Sequence, residues 1–187
     1  SLKGTDTIGG IIYFESRYDD LGINISAPHV QLGSQVFEHV TARASSGGHD
    51  DGQMRYSVDI GAGQGSGLAL YQTSVRGWLA EDKLFMTLLL KDKKGKDRYR
   101  LAGQLEKLID GLKFTLHPDS LLLNYDKWQV GRDNFFQYDS AGIIVHDLSI
   151  SNKEAILLVN SKENNEKSPI DVVFTKFRLG TLSRMTD

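Results

Sequence analysis

Lys83-Leu84-Phe85-Met86-Thr87-Leu88-Leu89-Leu90-Lys91-Asp92-Lys93-Lys94-Gly95-Lys96-Asp97-Arg98-Tyr99-Arg100-Leu101-Ala102-Gly103-Gln104-Leu105 is the stretch from which the fold follows. Leu84, Met86, Leu88 and Leu90 recur with a period of two, as a strand requires because successive side chains point to opposite faces of a sheet. A polar, glycine-containing segment from Lys93 to Lys96 interrupts the pattern, which resumes at Tyr99 and Leu101. The pattern predicts a β-hairpin with arms Lys83 to Asp92 and Asp97 to Leu105.

The same alternation extends in both directions, through Phe114 and Leu116 and, near the end, through Val173, Phe177 and Leu179. Between such runs lie clusters that read as turns or loops: Ser45 to Gly52, Gly61 to Gly67, Lys93 to Lys96, and Ser161 to Pro169. Two stretches are also open to a helical reading, Leu105, Leu108, Ile109 and Leu112, and more loosely Val36, Phe37, Val40 and Ala44. Gly103 and Gly111 leave the first of them little more than two turns, which is marginal without tertiary packing.

Several runs are apolar on both sides: Leu88 to Leu90, Leu121 to Leu123, Ile143 to Val145 and Ile156 to Val159. A strand with one solvated face would alternate cleanly. These runs therefore fit the middle of a two-layer β-sandwich, or a sheet with one face in a core and the other lining an apolar groove.

A chain of 187 residues suits one all-β domain, or two small ones sharing a continuous sheet. With 22 Lys and Arg against 24 Asp and Glu, the formal charge is −2, and the overall field gives no reason to expect nucleic acid as a partner. The absence of cysteine excludes disulfides, thiolate nucleophiles and cysteine-based zinc sites. No run of about 18 apolar residues occurs, and Ser1-Leu2-Lys3 lacks the apolar core of a signal peptide. The chain begins without methionine and stops after Arg184-Met185-Thr186-Asp187, as expected of a segment of a longer protein.

No catalytic constellation stands out. The five histidines, His29, His39, His49, His117 and His146, are scattered, and His49-Asp50-Asp51 reads more readily as a solvated turn than as a metal loop. The glycines at 61, 63, 65 and 67 lack the following Lys-Ser or Lys-Thr of a phosphate-binding loop. Gly65-Ser66-Gly67 lacks the spacing of a nucleophile elbow. Aromatic residues gather at Trp128, Phe135, Phe136 and Tyr138, a set suited to packing a core or to stacking on sugars.

With the strands in order, the stretch from Trp78 to Leu182 resembles the TamB family of translocation and assembly proteins. The resemblance lies in the hairpin already described, in Leu121-Leu122-Leu123-Asn124-Tyr125-Asp126-Lys127-Trp128-Gln129-Val130, and in the Asp133-Asn134-Phe135 turn. It continues in a strand from Gly142 to Ser151 and in a final strand from Val172 to Leu179. Residues before Gly67 carry no family motif.

The resemblance implies a long periplasmic protein anchored in the inner membrane of Gram-negative bacteria, built as a curved, mostly antiparallel sheet forming an open, apolar trough. It implies no catalytic residue, cofactor or metal. It implies a role in outer-membrane assembly, protein secretion or phospholipid transport between membranes. Partners would be lipid acyl chains or unfolded outer-membrane β-strands, with an outer-membrane barrel as a further partner. Leu84, Met86, Leu88, Leu90, Phe114, Leu116, Leu121, Leu123 and Trp128 are the expected lining. A slip of one residue in register would turn each of them outward. The alternative is a carbohydrate-binding β-sandwich; a glycosidase would need two facing carboxylates in a cleft.

Overall fold

Strand follows strand through residues 2–3, 8–15, 20–46, 53–65, 68–163, 165 and 167–176, which a computed structural model describes. These residues form sixteen strands and no helix, every pairing is antiparallel, and the sheet is open rather than closed into a barrel. The all-β, antiparallel, unclosed arrangement that a trough requires is thus present. Two compact units divide the chain, Ser1–Asp97 and Arg98–Asp187.

In the first unit β1 (Leu2–Lys3), β2 (Gly9–Glu15), β3 (Asp20–Leu32), β4 (Gln35–Ser46), β5 (Met54–Gly65), β6 (Leu68–Ala80) and β7 (Lys83–Lys91) form a meander. Strands β3 to β7 pair in sequence order, while β1 and β2 both pair with β3. The predicted arms of the hairpin are strands, and the turn after β7 is organised by Asp92. Its carboxylate accepts the N–H groups of Lys94 and Lys96 at 2.8 and 2.9 Å, while its own N–H donates to the Lys96 carbonyl at 2.9 Å. Gly95 takes the left-handed φ of 79° that closes the turn at no steric cost.

Two expectations change here. Val36 to Ala44 lie within β4, where pairing with β3 on one side and β5 on the other overrides the weak helical spacing. Gly61 to Gly65 belong to β5 instead of a loop. Glycine suits this strand because an aromatic ring on the neighbouring strand fills the place of the missing side chain: a methyl group on Gly63 would stand 3.0 Å from the Phe37 ring. Ser45 and Ser46 close β4, and the rest of the Ser45 to Gly52 cluster, with His49-Asp50-Asp51, lies outside the described residues, as do Ser66-Gly67, Phe177 and Leu179.

The second unit runs from β8 (Asp97–Lys107) through β9 (Gly111–Leu116), β10 (Leu121–Leu123), β11 (Asp126–Val130), β12 (Phe135–Asp139), β13 (Ile143–His146), β14 (Leu148–Asn152), β15 (Ala155–Ser161) and β16 (Ile170–Thr175). Its sheet forks. Arg100 in β8 pairs with Leu122 in β10, whereas Gly103 to Lys107 pair with β9. One branch continues β10-β11-β14-β15-β16, the other β9-β12-β13.

The Leu105 to Leu112 stretch with helical spacing is the β8–β9 connection, closed by the Leu108 N–H on the Gly111 carbonyl at 2.9 Å. The single strand expected from Gly142 to Ser151 breaks at Asp147, whose φ of 43° turns the chain from one branch to the other. In the loop expected from Ser161 to Pro169, Ser161 closes β15, residues 164 and 166 lie outside the described residues, and the Lys162 N–H donates to the Pro169 carbonyl at 3.0 Å.

Between the two branches lies a closed core of Leu116, Leu121, Trp128 and Val130, against which Leu101, Phe114, Leu123, Leu148, Ile150 and Ala155 pack. Asn134, 2% exposed, pins the end of β9 to it. Its side-chain amide accepts the Leu116 N–H at 2.9 Å and donates to the Leu116 carbonyl at 2.9 Å and the Gly131 carbonyl at 2.6 Å. A single side chain thereby takes the part of a missing strand.

Candidate functional site

Cross-strand partners share a face, so the pairing registers of the first unit assign its two faces directly. One rung runs Ile25–Ala42–Val58–Val75–Leu88, the next Ile12–Ile23–Ala44–Tyr56–Gly77–Met86, and a third Phe14–Leu21–Ser46–Met54–Leu79–Leu84. At the other side of the Leu88 rung stands Ala27–Val40–Ile60–Thr73. Leu90, on the same side of β7 as Leu88, sits where β6 bulges between Tyr71 and Ser74. Six strands thus contribute to one almost unbroken apolar face.

That face is not a filled core. Among the described residues of the first unit, Ala27 is the only hydrophobic side chain that is buried. Ile12, Phe14 and Ile25 are exposed, at 74%, 63% and 43%, and Val58, Val75, Leu84, Met86, Leu88 and Leu90 are half-buried. Tyr56 reaches across Gly77 with its hydroxyl, which donates to the Phe85 carbonyl at 3.1 Å, and burial raises the hydroxyl's pKa above that of a free tyrosine.

The opposite face is polar in its middle, where the rungs read Ile11–Asn24–Arg43–Ser57–Arg76–Thr87 and Ser26–Thr41–Asp59–Ser74–Leu89, and it carries aromatic side chains in the adjoining rung Tyr13–Gly22–Ser45–Arg55–Trp78–Phe85. Asp59 is shared between Arg76, at 3.0 Å, and Arg43, at 3.8 Å. Both arginines are well exposed, so the ion pairs contribute little to stability.

The residues expected to line a groove fall into two groups. Leu84, Met86, Leu88 and Leu90 come together on the open apolar face of the first unit. Leu116, Leu121 and Trp128 are 8%, 4% and 3% exposed inside the closed core of the second unit, with Phe114 and Leu123 packed against them. Sequence reasoning missed the partners of the first group, namely Ile12, Ile23, Ile25, Val40, Ala42, Ala44, Val58, Ile60 and Val75. For all but Ile12 and Val75 the signal was present as the alternation of small and β-branched residues along 20–46 and 53–65, which carried no motif.

The aromatic cluster is also divided. Trp128 is buried, and Phe135 is stacked on His146 at 5.0 Å with the Lys113 ammonium 4.4 Å from the ring centroid. Phe136 and Tyr138, two residues apart on β12, are 39% and 56% exposed and lie beside Phe114 and Leu112 of β9. No group of three His, Cys, Asp or Glu side chains among the described residues is placed to hold a metal ion. No protein-family model matches the chain, and comparisons with curated proteins and with solved structures return no match.

Proposed function

We propose that this chain is a non-catalytic, TamB-like periplasmic segment of an inner-membrane-anchored protein, and that its apolar sheet face holds lipid acyl chains or unfolded outer-membrane strands in transit. The observation that carries this reading is the apolar face of the first unit, continuous from Phe14 and Ile12 to Leu84, Met86 and Leu88, yet half-buried to exposed. A contiguous apolar surface of this kind marks a binding surface. An acyl chain laid on it gains on the order of 0.8 kcal/mol per buried methylene without any specific polar contact. No reactive side chain is needed.

The test is solvent extraction of the purified protein followed by lipid analysis, with Leu88→Asp and Lys94→Asp in parallel. Leu88 ends the Ile25–Ala42–Val58–Val75 rung on β7, between Met86 and Leu90 on the same face, so a carboxylate there should abolish lipid retention. Lys94 lies in the exposed turn, and its substitution should leave retention intact. Lipid-free wild-type protein, or equal retention in the Leu88→Asp variant, overturns the reading.

A second reading rests on the second unit, where a closed core stands beside the exposed pair Phe136 and Tyr138. Two aromatic rings on one strand face form a platform for a sugar ring, and saturable binding of an oligosaccharide lost in Tyr138→Ala would favour it.

A further inference from the structure

The polar face of the first unit carries a second, differently built feature. Arg43 and Arg76 flank Ser57 in one rung, and Arg55 precedes Ser57 by two residues on β5, so three guanidinium groups project from the same side around one hydroxyl. Asp59 lies among them and is engaged by Arg43 and Arg76. A shallow depression here is lined by Arg43, Arg55, Ser45, Ser57, Asn24 and Tyr13, together with Ile23, Ala44 and Tyr56. Guanidinium groups with nearby hydroxyl and amide donors match the geometry of a phosphate group, whose oxygens accept several hydrogen bonds at once.

We propose that this depression binds a phosphate group, with Arg43 and Arg55 as its charged contacts and Ser45, Ser57 and Asn24 as neutral donors. The site lies on the side of the sheet opposite the apolar face, because Arg43 alternates with Ala42 and Ala44, and Arg55 with Met54 and Tyr56. It therefore stands or falls independently of the acyl-chain reading. Asp59 competes with the ligand by holding Arg43 and Arg76, so the arginine and aspartate variants should act in opposite directions.

Trp78 supplies a reporter: it faces Arg55 across the β5–β6 pair, is 39% exposed and stacks on Phe85 with ring centroids 4.6 Å apart. The intact chain is titrated with inorganic phosphate, with glycerol 3-phosphate, and with phosphatidylcholine vesicles with and without phosphatidic acid, following tryptophan emission. A saturable response is expected, weakened about tenfold or more in Arg43→Gln and in Arg55→Gln. Affinity should rise about threefold in Asp59→Asn, which frees two guanidinium groups.

A response to both soluble phosphates supports a site for the phosphate group itself. A response confined to phosphatidic acid vesicles, still dependent on Arg43 and Arg55, supports a lipid headgroup as its source. The proposal is overturned by the absence of a saturable response to every probe, by unchanged affinity in both arginine variants with an unaltered thermal transition, or by weaker binding in Asp59→Asn.

Discussion

Replacing Asn134 with alanine should unfold the second unit at a markedly lower temperature than the wild type. The side chain makes three hydrogen bonds, two of them to the N–H and carbonyl of Leu116, which is itself 8% exposed. Truncation leaves both backbone groups of Leu116 without a partner in a water-poor site, and each such group costs about 1–3 kcal/mol. Two together give about 2–6 kcal/mol, towards the lower end where a water molecule enters the space left by the amide. For a unit of this size a central loss of about 3 kcal/mol corresponds to a fall of about 12–24 °C in Tm.

Calorimetry measures the transition, and the emission of Trp128 reports on the core directly, since Trp128 packs in the same cluster as Leu116. Asn134→Asp keeps the acceptor but loses both amide donors and buries a charge, so it should be at least as damaging. The reasoning fails if Asn134→Ala melts within about 3 °C of the wild type, the range of an ordinary surface substitution.

Two further outcomes follow from local geometry. A methyl group on Gly77 would collide with the backbone carbonyl of Phe85, so Gly77→Ala should destabilise the first unit by about 1–3 kcal/mol in urea denaturation, whereas Gly10→Ala, whose nearest neighbour would be 3.7 Å away, should change it by less than about 0.5 kcal/mol. The Asp139 carboxylate is held below the usual carboxylate range first by the Ala141 N–H at 2.8 Å, then by the Gln137 amide and the Gly142 N–H. A depressed folded-state pKa gives stability that is present above the unfolded pKa and lost as the pH falls through the folded one. Amide exchange at Ala141 should therefore accelerate as the pH drops below about 4, relative to the Asp139→Asn variant, and parallel profiles for the two proteins would refute this.

The strands around Asp92 to Lys96 were legible because alternation and turn chemistry are local properties. The direction of Leu84, Met86, Leu88 and Leu90 was legible for the same reason, once partners such as Val75 and Leu79 fixed the register. Trp128, Leu121 and Leu116 were harder. Their burial depends on a fork in which β8 is divided between β9 and β10, and nothing in the alternation of Leu121 to Trp128 announces a pairing with Arg100 some twenty residues earlier. The glycines of β5 misled for a related reason, because the cue for strand over loop sits in Phe37 on another strand. Asp147 illustrates a third limit: a left-handed residue between two β-branched runs splits one apparent strand into two that serve different branches.

The meander of the first unit has a consequence for how it gains and loses order. Strands β4 to β7 each pair only with the strands before and after them, and the described side chains of the unit converge on no common interior. Cohesion is then a sum of nearest-neighbour terms, as in a one-dimensional chain of coupled elements, rather than a property of the whole. Such a unit frays one strand at a time from its margins, and its midpoint strand β5, with ladders on both sides, is its most persistent element. An architecture of this type also has no intrinsic size: a strand can be gained or lost without repacking the others, and the length of the apolar surface then scales with the number of strands.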